Sequence, residues 1–258
     1  AANEASREHP CRIIVLADDD SQQQSEPRLD AQIRVGGDAG ASEVIVLRAF
    51  GAAASAPESL VTGLLLPDAP VVAWWPGETP ENVSESAIGR IATRRITDAA
   101  NQPDAVQHLR RVANSYSPGD SDFAWTRLTL WRAQLAAILD QPPYQPILSV
   151  TLVGATNSPS TDLLASWLEL KLQVPIKIDR VEPSERLAGI RSVTFHRTDS
   201  DVAIIRDEPD LAKLIETGKP PREISLPRRS LRDCLSEDLR RLDADTLFGK
   251  VVRAGFGG

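Results

Sequence analysis

The sequence predicts an α/β protein of two domains. A mostly parallel sheet flanked by helices should occupy residues 1–141, and a smaller α/β domain with a βαβ unit and a hairpin should occupy residues 147–258. Three observations lead there. Short apolar, β-branched runs alternate with stretches of helical periodicity. Gln141-Pro-Pro-Tyr-Gln-Pro146 denies helix continuation and reads as a linker. The chain has 258 residues, more naturally two domains than one.

The elements follow in order. Ala1 to Pro10 reads as the tail of a helix; the chain contains no Met, and the native N-terminus is expected to precede Ala1. Cys11-Arg-Ile-Ile-Val-Leu-Ala17 has the pattern of a buried strand. Asp18-Asp-Asp20 opens a polar loop, and three carboxylates without a further ligand nearby read as a solvated turn rather than a metal site. Leu29, Ala31, Ile33 and Val35 alternate with polar residues, as in a half-buried strand. Gly36-Gly37-Asp38 turns the chain, and Val44–Leu47 is a fully buried strand.

Ser55-Ala-Pro-Glu58 has the form of a capping box, opening a helix with Leu60, Val61, Leu64 and Leu65 inward. Pro67 stops it. Val71-Val-Ala-Trp-Trp75 is a short buried strand and Pro76-Gly77 a turn. Thr79-Pro80 fits a helix N-cap with Pro at the first helical position. Val83, Ala87, Ile88 and Ile91 stripe that helix. Arg94–Asp98 is a short strand. Pro103 starts a helix with Val106, Leu109, Val112, Ala113 and Tyr116 on one side. Ser121 or Asp122 caps the next, where Leu128, Trp131, Leu135, Ile138 and Leu139 recur at helical spacing.

Beyond the linker, Ile147–Val153 is a strand, Gly154–Pro159 a small-residue loop, and Leu163, Leu164, Trp167, Leu168 and Leu172 stripe a helix. Pro175–Ile178 closes a βαβ unit, which should be right-handed. Ile190–His196 and Val202–Ile205 read as a hairpin. One charged amphipathic helix is expected from Ser230 to about Phe248, followed by a frayed tail, Arg253–Gly258.

Hydrophobic content of 41% and charged content of 25% are ordinary for a soluble protein. No apolar run approaches the ~20 residues of a membrane span, and no signal peptide is visible. The net charge of −7 argues against nucleic acid as a partner. Up to Pro146 the chain has 19 acidic residues, 12 Arg and no Lys, so the first part is acidic and the second neutral. Cys11 and Cys234 make no disulfide framework and read as buried, inert thiols. The low Cys count suits the cytoplasm.

Two groups of residues stand out as candidate sites. Trp74 and Trp75 are adjacent on a strand and point to opposite faces; one fills the core, and the other meets a second layer or a partner. Arg127 and Arg132 lie close to Trp125 and Trp131. That pattern is either a domain-closing helix with snorkelling Arg or a partner-binding site. Gly154, Thr156, Asn157 and Ser158 sit between a strand and a helix N-terminus, where N–H groups hold anions. The loop lacks the P-loop Lys, and the chain lacks G-x-G-x-x-G and G-x-S-x-G. His9, His108 and His196 have no partners at zinc-ligand spacing. The residues thus show no catalytic group, metal or cofactor.

Leu65-Leu-Pro-Asp-Ala-Pro-Val-Val-Ala-Trp-Trp-Pro-Gly77, Asp122-Phe-Ala-Trp-Thr-Arg-Leu-Thr-Leu-Trp-Arg132 and Leu163-Leu-Ala-Ser-Trp-Leu168 resemble the OpcA family, the glucose-6-phosphate dehydrogenase assembly proteins of actinobacteria and cyanobacteria. The Arg-rich, Lys-poor usage fits an actinobacterium. The resemblance implies a non-catalytic partner that promotes the dehydrogenase's oligomerisation and activity, and so NADPH supply through the oxidative pentose phosphate pathway. It supplies no catalytic residues. The alternative left by the residues is a sugar-phosphate- or nucleotide-binding enzyme or sensor using Gly154–Ser158.

Overall fold

The computed structural model describes residues 1–18, 26–36, 43–142, 144–183 and 189–257. Its strands form three sheets. The first contains β1 (Arg12–Asp18), β2 (Arg28–Arg34) and β3 (Glu43–Phe50) in the order β1-β3-β2, with β1 parallel and β2 antiparallel to β3. The register sets Ile14 beside Ile45 and Leu16 beside Leu47. These side chains pack under α2 (Pro57–Thr62) and α3 (Ala87–Ile91). Only β3, the central strand, is buried as expected. Strand β2 is exposed along its whole length, with Ile33 64% accessible, because it is an edge strand beyond the reach of the two short helices. Strand β1 is the other edge and is mostly half-buried; Cys11 precedes it and is exposed. The expected turn at Gly36-Gly37-Asp38 and the Asp18-Asp-Asp20 loop lie largely outside the described residues.

The capping box does not form. Ser55 ends a 3-10 turn, Gly51–Ser55, and donates its hydroxyl to the Ala52 carbonyl at 2.8 Å. Ala56 is the N-cap of α2 and Pro57 its first residue. Pro, fixed at φ near −65°, sets the start one residue too late for Ser55 to serve.

The second sheet, β4 (Val72–Trp74), β5 (Arg94–Thr97) and β6 (Asp120–Asp122), is wholly parallel. Thr79-Pro80 starts no helix. Asn82 Oδ1 accepts from the Ser84 hydroxyl and the Glu85 N–H, a side-chain turn that competes with helix. Helix α3 begins only after Ser86, whose hydroxyl accepts from the Gly89 N–H. Asp104 caps α4 (Ala105–Ser115). Its buried face is completed by His108, while Val106 lies at the margin and is exposed. Helices α5 (Phe123–Thr126) and α6 (Thr129–Leu139) follow, with Asp122 capping α5.

The third sheet holds β7 (Ile147–Ala155), β8 (Ile176–Val181), β9 (Ile190–Arg197), β10 (Asp201–Arg206), β11 (Leu211–Glu216) and β12 (Arg222–Ser225). Their order is β12-β11-β10-β9-β7-β8. Strands β7 and β8 pair in parallel around α7 (Pro159–Leu172), the expected βαβ unit, and β9–β10 is the expected hairpin. Strands β11 and β12 extend the hairpin into a meander beyond expectation. The expected C-terminal helix is two, α8 (Leu231–Arg240) and α9 (Thr246–Phe256). Asp245 caps α9 and breaks the run. Of the expected frayed tail, residues 253–256 belong to α9, and Arg253 Nε donates to the Gly249 carbonyl at 2.9 Å. Val251 and Val252 are buried, and a Cβ on Gly249 would stand 2.4 Å from the Tyr116 ring.

One core unites side chains from both sides of residues 141–146. Leu109 of α4, Trp125, Trp131 and Leu135 pack with Leu152, Phe195 and Ile204 of the third sheet and Phe248 of α9. A smaller cluster joins Ala5 of α1 (Ala2–Ala5), Ile96, Phe123, Cys234 and Leu235, with Trp74 against it.

Candidate functional site

The site grows from strands β5 and β6. Arg94 and Arg95 are adjacent, so they point to opposite faces, yet both are buried. Each is matched by an Asp. Arg94 donates through Nε to Asp238 Oδ1 at 3.0 Å, and through Nη1 to the Asp243 carbonyl. Asp238 also accepts from the Ser121 and Thr126 hydroxyls, at 3.0 and 2.8 Å. Arg95 donates to Asp120 at 2.5 Å and to the carbonyls of Ala92 and Pro118. Asp98, at the end of β5, takes a two-pronged pair from Arg127, each bond 2.7 Å. Such fork-to-carboxylate pairs fix orientation as well as charge.

Asp122 ends β6. It accepts from the Ala99 and Ala124 N–H groups, the Thr97 hydroxyl and His108 Nε2 at 3.2 Å. Burial pushes its carboxyl up. The hydrogen bond and charge of His108, with Thr97 and the Ala124 N–H, outweigh burial and hold it below the usual range. His108 Nδ1 stands 3.4 Å from the Thr79 hydroxyl. Thr79 borders an open cleft of about 510 Å³, lined also by Glu78, Glu81, Gln102, Asp104 and Arg111. The cleft lies beyond the C-terminal ends of β4 and β5, the place where parallel sheets hold ligands.

The structure separates the expected partner-binding residues into layers. Trp125 and Trp131 are 1% and 3% exposed and belong to the core. Trp125 Nε1 donates to Asp245 at 2.8 Å. Trp74 and Trp75 are half-buried, and the Trp74 ring lies 5.6 Å from Phe123. Arg127 is held by Asp98. Arg132 stacks 3.7 Å above Trp125. Burial pushes its guanidinium down to about 10; Asp245 and Glu237 oppose this, and Arg229 and Arg241 add to it.

The Gly154–Ser158 loop is a tight βα connection. Gly154 is still in β7, and a Cβ there would stand 2.3 Å from the Thr161 hydroxyl, so the glycine lets α7 pack on its strand. The N–H groups of Ala155, Thr156 and Ser158 donate to main-chain carbonyls, and Ser158 gives α7 no side-chain cap. Gly154, Thr156, Asn157 and Ser158 thus lie together between β7 and the start of α7. Among the described residues no metal-holding group of side chains occurs, and no helix is long and apolar enough to cross a membrane.

Sequence reasoning named Asp122 only as a helix cap and His108 only as a histidine without zinc-ligand partners, and it missed Asp98, Asp238 and Asp245. The one available signal was Arg94-Arg95 in a strand between helices, where at least one guanidinium had to find a carboxylate.

Residues 2–114 match the family model for the glucose-6-phosphate dehydrogenase subunit N-terminal domain, and residues 118–252 match that for its C-terminal domain. The chain belongs to the OpcA family. Among curated proteins none matches it. Of solved structures, a 3-ketoreductase from Actinomadura kijaniata, in complex with NADP and TDP-benzene, is similar at 9% identity and a TM-score of 0.52. The match covers 98% of this chain and 90% of that one. An oxidoreductase from Sinorhizobium meliloti is similar at 11% identity and a TM-score of 0.41, over 76% and 70% of the two chains. The first likeness shows a shared fold alone.

Proposed function

We propose that this OpcA-family chain is an assembly factor and allosteric activator of glucose-6-phosphate dehydrogenase, without catalysis of its own. It would thereby support NADPH production in the oxidative pentose phosphate pathway of an actinobacterial cytoplasm. The observation that carries this reading is the pair of family matches spanning residues 2–252. The absence of G-x-G-x-x-G from the sequence is consistent with it, because oxidoreductases with that fingerprint seat the pyrophosphate on those glycines.

A non-catalytic partner activates only by binding one enzyme state better than another. Typical coupling is ~1–3 kcal/mol, about 5–150-fold in affinity. The contact surface is proposed at Trp74/Trp75 and the Trp125–Arg132 segment. Trp125 and Trp131 act there as platforms beneath charged groups, and Arg127, Arg132 and the outer edge of Trp75 meet the partner. The test is to mix purified chain and cognate dehydrogenase and follow oligomeric state and glucose 6-phosphate kinetics together. A shift to the larger oligomer with raised affinity or turnover is expected. Unchanged oligomer and kinetics, or NADPH formation by the chain alone, would refute the reading.

A further inference from the structure

Strand β2 ends the first sheet. Among the described residues it pairs with β3 alone, so its outer row of N–H and C=O groups has no strand beside it. All seven of its residues are exposed. Such an edge pairs readily with another strand, and folded proteins usually guard it with proline, a bulge or repelling charges. Pro27 stands before the strand and not in it, and the register with β3 runs without a shift.

That register divides β2 between two faces. Leu29, Ala31 and Ile33 stand opposite Ala49, Leu47 and Ile45, on the face that packs under α2 and α3. Leu29 is 46% accessible, Ile33 64%, and Val35, just past the strand, 72%. The covered apolar face thus runs on to an uncovered margin. Asp30, Gln32 and Arg34 stand opposite Arg48, Val46 and Val44 on the other face. Arg34 has no carboxylate opposite it and donates to Gln32 Oε1 at 3.0 Å. Asp30 contacts Arg28 at 3.3 Å with both side chains half or more exposed, a surface pair of small worth.

We propose that β2 is the interface of a homodimer, in which the β2 edges of two copies pair antiparallel about a two-fold axis at Gln32. Charge and apolar pattern together select this register. With Gln32 opposite itself, Asp30 faces Arg34 of the second copy, and Arg34 faces Asp30. Leu29 faces Val35, and Ala31 faces Ile33. Centring on Ala31 instead sets Arg28 against Arg34 twice. Centring on Asp30 opposes two carboxylates, and centring on Ile33 loses both ion pairs. Parallel pairing in register sets Arg against Arg and Asp against Asp. Opposite charges across a strand pair stabilise it, and like charges destabilise it. A slip of one residue sets the apolar row of one copy against the polar row of the other. In the selected register Asp30 lies between Arg48 of its own sheet and Arg34 of the second copy. The two three-stranded sheets become one of six strands, with α2 and α3 of both copies on the same side. One strand edge with an apolar margin is a small interface, so the dimer should form at roughly micromolar concentrations.

The test is sedimentation of the full chain between roughly 1 and 100 µM, with melting temperature recorded for every variant. The mass of the native chain should rise with concentration toward that of two chains. Asp30→Arg and Arg34→Asp alter exposed side chains and should keep the fold. Each turns both ion pairs into repulsions, so each should weaken self-association by roughly tenfold or more. Mixed in equal amounts, with a fluorophore on one, the two variants regain opposite charges at both pairs and should associate as the native chain does. Val35→Asp, which leaves the charges of the strand in place, should weaken association as well. A native chain that stays monomeric overturns the dimer. Folded variants that associate like the native chain, or a mixture no better than its parts, overturn the pairing at β2. A monomeric native chain whose binding to the dehydrogenase is weakened by Arg34→Asp would give this edge to that partner and overturn the dimer, while the proposed function stands.

Discussion

Replacing Asp238 with Ala strips the Arg94 guanidinium of its carboxylate and two hydroxyls, Ser121 and Thr126, of their acceptor. Arg94 and Asp238 are both almost wholly buried, so water cannot replace the lost partner. Removing one member of a buried pair costs ~3–5 kcal/mol. At ~2–4 °C per kcal/mol for a chain of this size, the melting temperature should fall by roughly 6–20 °C. Restoring apolar symmetry with Arg94→Leu/Asp238→Leu should recover most of the loss, because the cost lies in the orphaned charge and not in the missing bond. The assay is urea and thermal unfolding of the native chain, Asp238→Ala and the double variant, followed by Trp fluorescence. A loss under ~1 kcal/mol for Asp238→Ala, or a double variant as unstable as the single, would refute the argument that this pair fastens α8 to the second sheet.

Three further outcomes are expected. Trp125→Ala and Trp131→Ala should each lose ~3–5 kcal/mol in unfolding experiments, whereas Trp75→Ala should barely change melting while dehydrogenase activation falls. Asp122 is held below its ordinary value, so its contribution is complete above the unfolded value of about 3.9 and is lost as pH falls through the lower folded value; Asp122→Asn should flatten the acid limb of a stability-against-pH curve. Burial pushes the Cys234 thiol up to about 12, so iodoacetamide at about pH 8 should label exposed Cys11 in the native chain and Cys234 only after denaturation, as read by peptide mass.

The elements legible in the sequence were those whose pattern is set by burial on one clean face. The β7–α7–β8 unit and the β9–β10 hairpin follow their apolar periodicity. Strands β11 and β12 hid because β11 opens on an exposed Leu211 and β12 offers a single apolar residue, Ile224, so neither shows a clean alternation. Ser55 and Thr79 misled for a different reason: a capping residue marks a helix start only to within a few residues, and Pro57 and Asn82 decided the register. The site was legible as a composition, aromatic residues beside Arg, but not as an arrangement. Asp238 and Asp245 reach Arg94 and Trp125 across more than a hundred residues, and no local pattern announces such pairing.

The Arg94–Asp238 pair also imposes an order of events during synthesis. Arg94 leaves the ribosome 144 residues ahead of its partner. At ~5–20 residues per second, the interval is on the order of 10 s. Throughout that interval the parallel sheet holds a guanidinium whose counter-charge has not been made, and the cluster around Phe123 lacks Cys234 and Leu235. The N-terminal half therefore reaches its final packing only when the last helices close over it. A ribosome stalled before α8 would present an uncovered sheet face and bare aromatics to chaperones rather than a finished domain.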